Sequence, residues 1–261
     1  MIPKIYITQW KKNAPWNNDY QVEQDLVIER ALIEIFSNSE LKEQLAFRGG
    51  TALHKLFLKP QIRYSEDIDL VQIESGSIGD LLTLLREKLE FLGRANYTVS
   101  NHNSTLIYRF ESETKPVVKL KLKIEINTRE HFTVFGYKDF SFSIKSEWFN
   151  GNCQLTTYCV EELLSTKLRA LYQRNKGRDL FDLYYAYQKL ELDSAMIIKG
   201  FKEYLAFEKL SVSRKEYITN IEDKISDSNF IGDITALLRT DIEYDTETAW
   251  QLVKKELIEK L

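Results

Sequence analysis

The chain has 261 residues, of which 43% are hydrophobic and 29% charged, with 36 Lys+Arg against 39 Asp+Glu. That apolar share can fill a real core and excludes wholesale disorder. A net charge of -3 with a pI near 5.8 excludes a polybasic protein but leaves room for a local basic patch.

Cys153 and Cys159 are too few for a disulfide framework or a thiolate metal site, and they read as reduced structural thiols. The opening MIPKIYITQW lacks the basic start and apolar run of a signal peptide. No apolar run approaches the ~18 residues of a membrane span. The expectation is a soluble, cytoplasmic protein with no membrane partner.

In chain order, residues 20–36 predict a helix, acidic at its start and apolar at Val22, Leu26, Ile33 and Phe36. A second helix opens at Gly49-Gly50 and runs through TALHKLFL. A short alternating strand follows at Asp67–Val71, then a helix over 78–92 that Gly93 stops. STLIYRFES, PVVKLKLKIEIN and HFTVFGYKDFSFSI alternate and predict strands of one sheet. From Val160 the period is helical to about 190, then over 194–210, 213–226 and 248–260. The fold class is therefore α+β. A mixed-sheet core with flanking helices spans 1–152 and a helical C-terminal domain spans 153–261, with the boundary near Gly151–Thr156.

Three motifs carry chemistry. Arg48-Gly49-Gly50-Thr51 precedes Ser65-Glu66-Asp67-Ile68-Asp69. On a strand Asp67 and Asp69 share a face, while Ile68 and Leu70 point into the core. Neighbouring carboxylates repel unless a cation lies between them. Oxygen ligands of this kind suit Mg²⁺, with Mn²⁺ as its substitute. Glycines opening a helix let backbone N–H groups approach a phosphate. Taken singly, a DxD is usually solvated acid and a GG usually a turn; the ordered pair is the specific signal.

In the second motif, KLKLKIEIN at 119–127, Leu120, Leu122, Ile124 and Ile126 face one side. Lys119, Lys121, Lys123, Glu125 and Asn127 face the other. The lysines are a wet face or a set of phosphate contacts. If this strand neighbours the one with Asp67 and Asp69, Glu125 adds a third acid, and three acids can hold two divalent ions.

In the third motif, Lys167 lies on the apolar stripe of VEELLSTKLRALYQR, where a lysine must be paired, snorkel or work. Asp179 and Asp182 follow, one turn apart, and Arg178 is spaced to pair with Asp182. Arg169, Arg174, Lys176 and Arg178 add a positive cluster.

GGTALHKLFL, RYSEDIDL, KIEIN and EELLSTKLRALYQRNKGRDLFDL together resemble the AbiEii/AbiGii-type nucleotidyltransferase toxins, of the DNA polymerase β-like nucleotidyltransferase superfamily. The motifs span residues 48–184. The resemblance implies a nucleotidyltransferase core with Asp67, Asp69, Lys167 and Asp182 as catalytic residues. Gly49, Gly50, Thr51, Arg63, Ser65, Lys167 and Arg178 would bind the NTP. Asp67 and Asp69 would hold the metal, and Glu125 would stand where the superfamily has its third acid. The expected reaction moves NMP from NTP to an acceptor hydroxyl, the 3′ end of tRNA or another RNA, in a toxin–antitoxin or phage-defence system with a cognate antitoxin. Lys119, Lys121, Lys123, Arg169, Arg174 and Lys176 would meet the RNA backbone. Two other readings are a nucleotidyltransferase acting on a small molecule or a protein hydroxyl, and a non-catalytic interaction module of the same fold.

Overall fold

The computed structural model describes residues 2–100 and 102–261. The chain divides into two compact units, Met1–Tyr158 and Cys159–Leu261.

The first unit is built on a seven-stranded mixed sheet. Three helices lead into it: α1 (Lys4–Trp10), α2 (Asp19–Phe36) and α3 (Ser39–Gln44). Then come β1 (Leu45–Arg48), α4 (Gly49–Ala52), which runs into a π turn (Leu53–Phe57), and β2 (Asp67–Gln72). The remainder is α5 (Gly79–Lys88), β3 (Asn96–Val99), β4 (Asn103–Glu111), β5 (Lys119–Asn127), β6 (Lys138–Lys145) and β7 (Asn150–Thr157). The strand order is β3-β4-β5-β2-β1-β7-β6. The β2–β5 and β1–β7 pairs are parallel and the others antiparallel.

Alternation sets the register. Leu122, Ile124 and Ile126 of β5 and Ile68 of β2 are fully buried, while Lys119 and Lys121 are exposed. Each such buried side chain contributes roughly 1.5–3 kcal/mol. A one-residue slip would bury Lys121, Lys123 and Glu125 instead, so the register is strongly held. The expected helix at 20–36 is α2, with Val22, Leu26, Ile33 and Phe36 all buried.

A buried ion cluster fastens the π turn to α2. Lys55 Nζ donates to Asp25 Oδ1 at 2.8 Å and Glu29 Oε1 at 2.7 Å, and Trp10 Nε1 on α1 donates to Asp25 Oδ2 at 3.0 Å. Burial pulls the Lys55 ammonium down, but the two carboxylates outweigh it and hold it above its ordinary value.

Two expectations need revision. HFTVFGYKDFSFSI is not one strand: only Lys138–Lys145 pairs with β7, and the chain turns at Gly136, whose φ is +79°. Residues 150–157 are strand β7, so the sheet continues past the boundary expected at 152/153. The short strands β1 and β3 have too few residues to show alternation.

The second unit is helical throughout. It contains α6 (Val160–Gln173), α7 (Gly177–Lys189), α8 (Ser194–Phe207), α9 (Arg214–Ile225), α10 (Ser228–Thr235) and α11 (Thr246–Glu256). The α6 stripe Leu163, Leu164, Leu168 and Leu171 is buried. Ser165 Oγ donates to the Ile197 carbonyl at 2.9 Å and Tyr217 Oη to the Leu168 carbonyl at 2.9 Å, which fixes α8 and α9 on α6. Gly177 opens α7 against α10, where a Cβ would meet the Phe230 carbonyl oxygen at 2.1 Å. Among the described residues no helix is long and apolar enough to cross a membrane.

Burial of Glu23, on α2, pushes its carboxyl up to about 7. The fold therefore favours the protonated acid. Below the ordinary Glu pKa of about 4.3 both states are protonated and there is no penalty; the cost grows as pH rises to about 7. Glu23→Gln should leave stability unchanged at pH 4 and raise it by about 1–2 kcal/mol at pH 8, read from urea midpoints at the two pH values.

Candidate functional site

The first unit brings Gly49, Thr51, Ser65, Asp67, Asp69, Lys123 and Glu125 together around the start of β2. Antiparallel pairing sets Arg48 opposite Asp69, so the glycine turn begins beside the second acid. Gly49 has a φ of +79°, and a Cβ built there would lie 2.1 Å from Asp69 Oδ2. The Asp69 carboxylate thus fills the space a side chain at position 49 would occupy, and only glycine suits both the backbone and the space. Asp67 and Asp69 are half-buried and Ile68 and Leu70 buried, as the alternation predicts.

Thr51 is buried. Its hydroxyl donates to the Asp67 carbonyl at 2.5 Å, and Ser65 Oγ lies 2.7 Å from Thr51 Oγ1. The single Thr51 proton is taken by Asp67, so Ser65 is the donor in that second bond. These two side chains therefore hold the entry to β2. Gln24 Nε2 reaches the Lys121 carbonyl at 3.1 Å and ties α2 to the neighbouring strand. Arg63 is only 2% exposed and donates to the Tyr64 carbonyl at 3.0 Å. It supports the approach to β2 from inside.

The parallel partner β5 sets Lys123 beside Asp67 and Glu125 beside Asp69. Glu125 does lie next to the acids, as expected. It is engaged there by Asn103 Nδ2 at 3.1 Å and by the ammonium of Lys123. Burial lowers the Lys123 ammonium, but Glu125, Asp67 and Asp69 outweigh it and raise the group above its ordinary value. Among the described residues no group of three or more His, Cys, Asp or Glu is arranged to hold a metal ion. Two carboxylates on one face remain, a donor set that fits a hard divalent ion completed by water and phosphate.

In the second unit Lys167 is buried on the α6 stripe. Its ammonium meets Asp182 Oδ2 at 2.8 Å and Asp179 Oδ1 at 3.1 Å. Arg174 clamps Asp179 from the other side with contacts of 2.6 and 2.7 Å. Burial would raise the Asp179 carboxyl, but Lys167 and Arg174 outweigh it and hold it below the ordinary Asp range. Both acids are fully buried. The lysine on the apolar face is therefore paired.

The pairing expected between Arg178 and Asp182 is not the one formed. Arg178 pairs with Asp233 of α10 at 3.4 Å, because Asp182 points to Lys167. The rest of the positive cluster is likewise matched: Arg169 with Glu208, Arg174 with Asp179 and Lys176 with Asp233. Cys153 and Cys159 are free thiols. Burial pushes Cys153 up to about 12 and also raises Cys159, which disfavours the reactive thiolate in both.

Sequence reasoning missed Arg109 on β4, which stands directly opposite Lys121 on the open face of the sheet. It also missed Asn103 as a partner of Glu125. Pairing of β4 with β5 was needed to see either.

The architecture is that of a nucleotidyltransferase. Three solved structures share it: MenT4, a nucleotidyltransferase toxin from Mycobacterium tuberculosis (14% identity, TM-score 0.65, covering 100% of this chain and 98% of that one), JHP933 from Helicobacter pylori (19%, 0.55, 93% and 95%) and a putative nucleotidyltransferase from H. pylori (18%, 0.54, 94% and 99%). At these identities the likeness establishes the fold. Residues 30–255 match the family described as nucleotidyl transferase AbiEii toxin, type IV TA system. The chain belongs to this family of toxin nucleotidyltransferases. No curated protein sequence matches it.

Gly49→Ala should displace Asp69 and strain the turn, costing roughly 1–3 kcal/mol and at least about a hundredfold in nucleotidyl transfer. Gly93 shares the positive φ, at +80°, with nothing within 4 Å of its would-be Cβ. Gly93→Ala therefore measures the backbone cost alone, and it should keep activity. Melting curves and a labelled-NTP assay on both variants check this.

Proposed function

We propose that the chain transfers a nucleoside monophosphate from an NTP to the 3′ hydroxyl of an RNA acceptor, tRNA in the first instance, as the toxin of a toxin–antitoxin pair. One observation carries this: a single glycine turn positions both members of an acid pair on an open sheet face. Asp67 and Asp69 hold the divalent ion, Mg²⁺ or Mn²⁺, that comes with the NTP. When bound, that ion offsets charge on the triphosphate. The backbone of Gly49 and Gly50 approaches the phosphates, with Thr51 and Ser65 keeping the turn against β2. Two of the three N–H donors of Lys167 are taken by Asp179 and Asp182. Among the described residues the third has no acceptor, which supports a role for Lys167 in binding a phosphate oxygen. Asp182 orients Lys167 rather than acting on substrate. Arg178, paired with Asp233, keeps some exposure and is a secondary phosphate contact. Transfer of this type rests on positioning and electrostatics.

The RNA reading is favoured by the open face of β4 and β5. Arg109 and Lys121 stand directly opposite one another and both are exposed. Like charges so placed are destabilising unless an anion joins them. Among the described residues neither makes an ion pair. A phosphate of the acceptor strand meets that need.

Incubation of the protein with each labelled NTP and total RNA tests the proposal. Label should enter RNA, fall to background in Asp67→Ala and Lys167→Ala, and drop in Arg109→Ala/Lys121→Ala with a shallower dependence on salt than in the wild type. Label that persists in Asp67→Ala removes the acid pair from the reaction, and label moving to protein replaces the RNA acceptor.

A further inference from the structure

The acid cluster of the first unit already contains a cation of its own. Lys123 is registered beside Asp67, and Glu125 beside Asp69, on parallel strands whose spacing is ~4.8 Å. All four side chains belong to one face, since Ile68, Ile124 and Ile126 take the other into the core. The third acid of the cluster is committed: Glu125 Oε1 accepts from Asn103 Nδ2 at 3.1 Å and Oε2 pairs with Lys123. Lys123 in turn has no acceptor but Glu125 among the described residues, so two of its N–H donors remain.

Three carboxylates would invite two divalent ions. Here the third carboxylate is neutralised and an ammonium is fixed next to the first. Resting on the nucleotidyl-transfer reading, we propose that this site takes one divalent cation, on Asp67 and Asp69. The Lys123 ammonium, anchored by Glu125, supplies the positive charge that a second ion would otherwise bring. Lys123 is then a positioning residue for the metal and a donor toward substrate oxygens entering beside Asp67. Its charge limits the affinity and the number of ions that the acids can hold.

Titration of the full-length protein with Mn²⁺ alone, following the free ion by electron paramagnetic resonance, tests this without recourse to activity. The wild-type chain should bind one Mn²⁺ that is lost in Asp67→Asn. Lys123→Met removes a unit charge about one strand spacing away, and it should tighten that ion on the order of tenfold or admit a second. Lys123→Arg should behave like the wild type. Two Mn²⁺ per wild-type chain, both lost in Asp67→Asn, would overturn the role of Lys123 and leave the transfer reading standing. Unchanged affinity in Lys123→Met would do the same. The wild-type stoichiometry decides the matter even if the methionine variant does not fold. A wild-type chain that binds no Mn²⁺ would overturn both readings.

Discussion

The carboxylate of Asp69 lies where the side chain of residue 49 would be, and the rest of the site depends on that contact. It links the glycine turn to the second acid at a separation no larger residue permits. The same turn presents Thr51, whose hydroxyl fixes the Asp67 carbonyl. Both acids are thus referred to one piece of backbone. Further along the same segment, the buried Lys55–Asp25–Glu29 cluster fastens the π turn that follows the glycines to α2. Buried ion pairs of this kind contribute little net stability, but breaking one costs several kcal/mol because it strands a charge. Their value here is geometric.

The second unit applies the same economy around Lys167. An ammonium on an apolar helix face is costly unless it is matched, and Asp179 and Asp182 match it. Arg174 closes the network by occupying Asp179, so that Asp182 is the closer partner of the lysine. The outcome is an ammonium held between two buried carboxylates. Outside this network Arg169, Lys176 and Arg178 are drawn into pairs with Glu208 and Asp233. On the sheet face of the first unit, Lys121 and Arg109 stand opposite one another and make no ion pair among the described residues.

Much of this was legible in the sequence because it rests on local period. Alternation placed Asp67 with Asp69 and set Lys119, Lys121, Lys123 and Glu125 on one side of β5. Helical period placed Lys167 on its stripe. Gly49 stood out through its order relative to the acids. What stayed hidden depends on register and on contacts distant in the chain. The neighbours of Asp67 and Asp69 on β5 follow from strand pairing, which no local pattern encodes. Arg178 had an acid at helical spacing, yet Asp233, more than fifty residues on, is the one it meets. β7 escaped notice because NGNCQLTT is polar for a strand, and its place at the sheet is fixed by the parallel pairing of Phe47 with Thr157.

The central claim is that one glycine turn aims two carboxylates at a common cation that accompanies a nucleotide. It is tested most directly by a crystal structure with Mn²⁺ and a non-hydrolysable NTP, using the anomalous signal to locate the ion. The account predicts a single strong peak bridging Asp67 and Asp69, with the triphosphate along Gly49 and Gly50. A nucleotide bound elsewhere, or an ion held without Asp69, would contradict it.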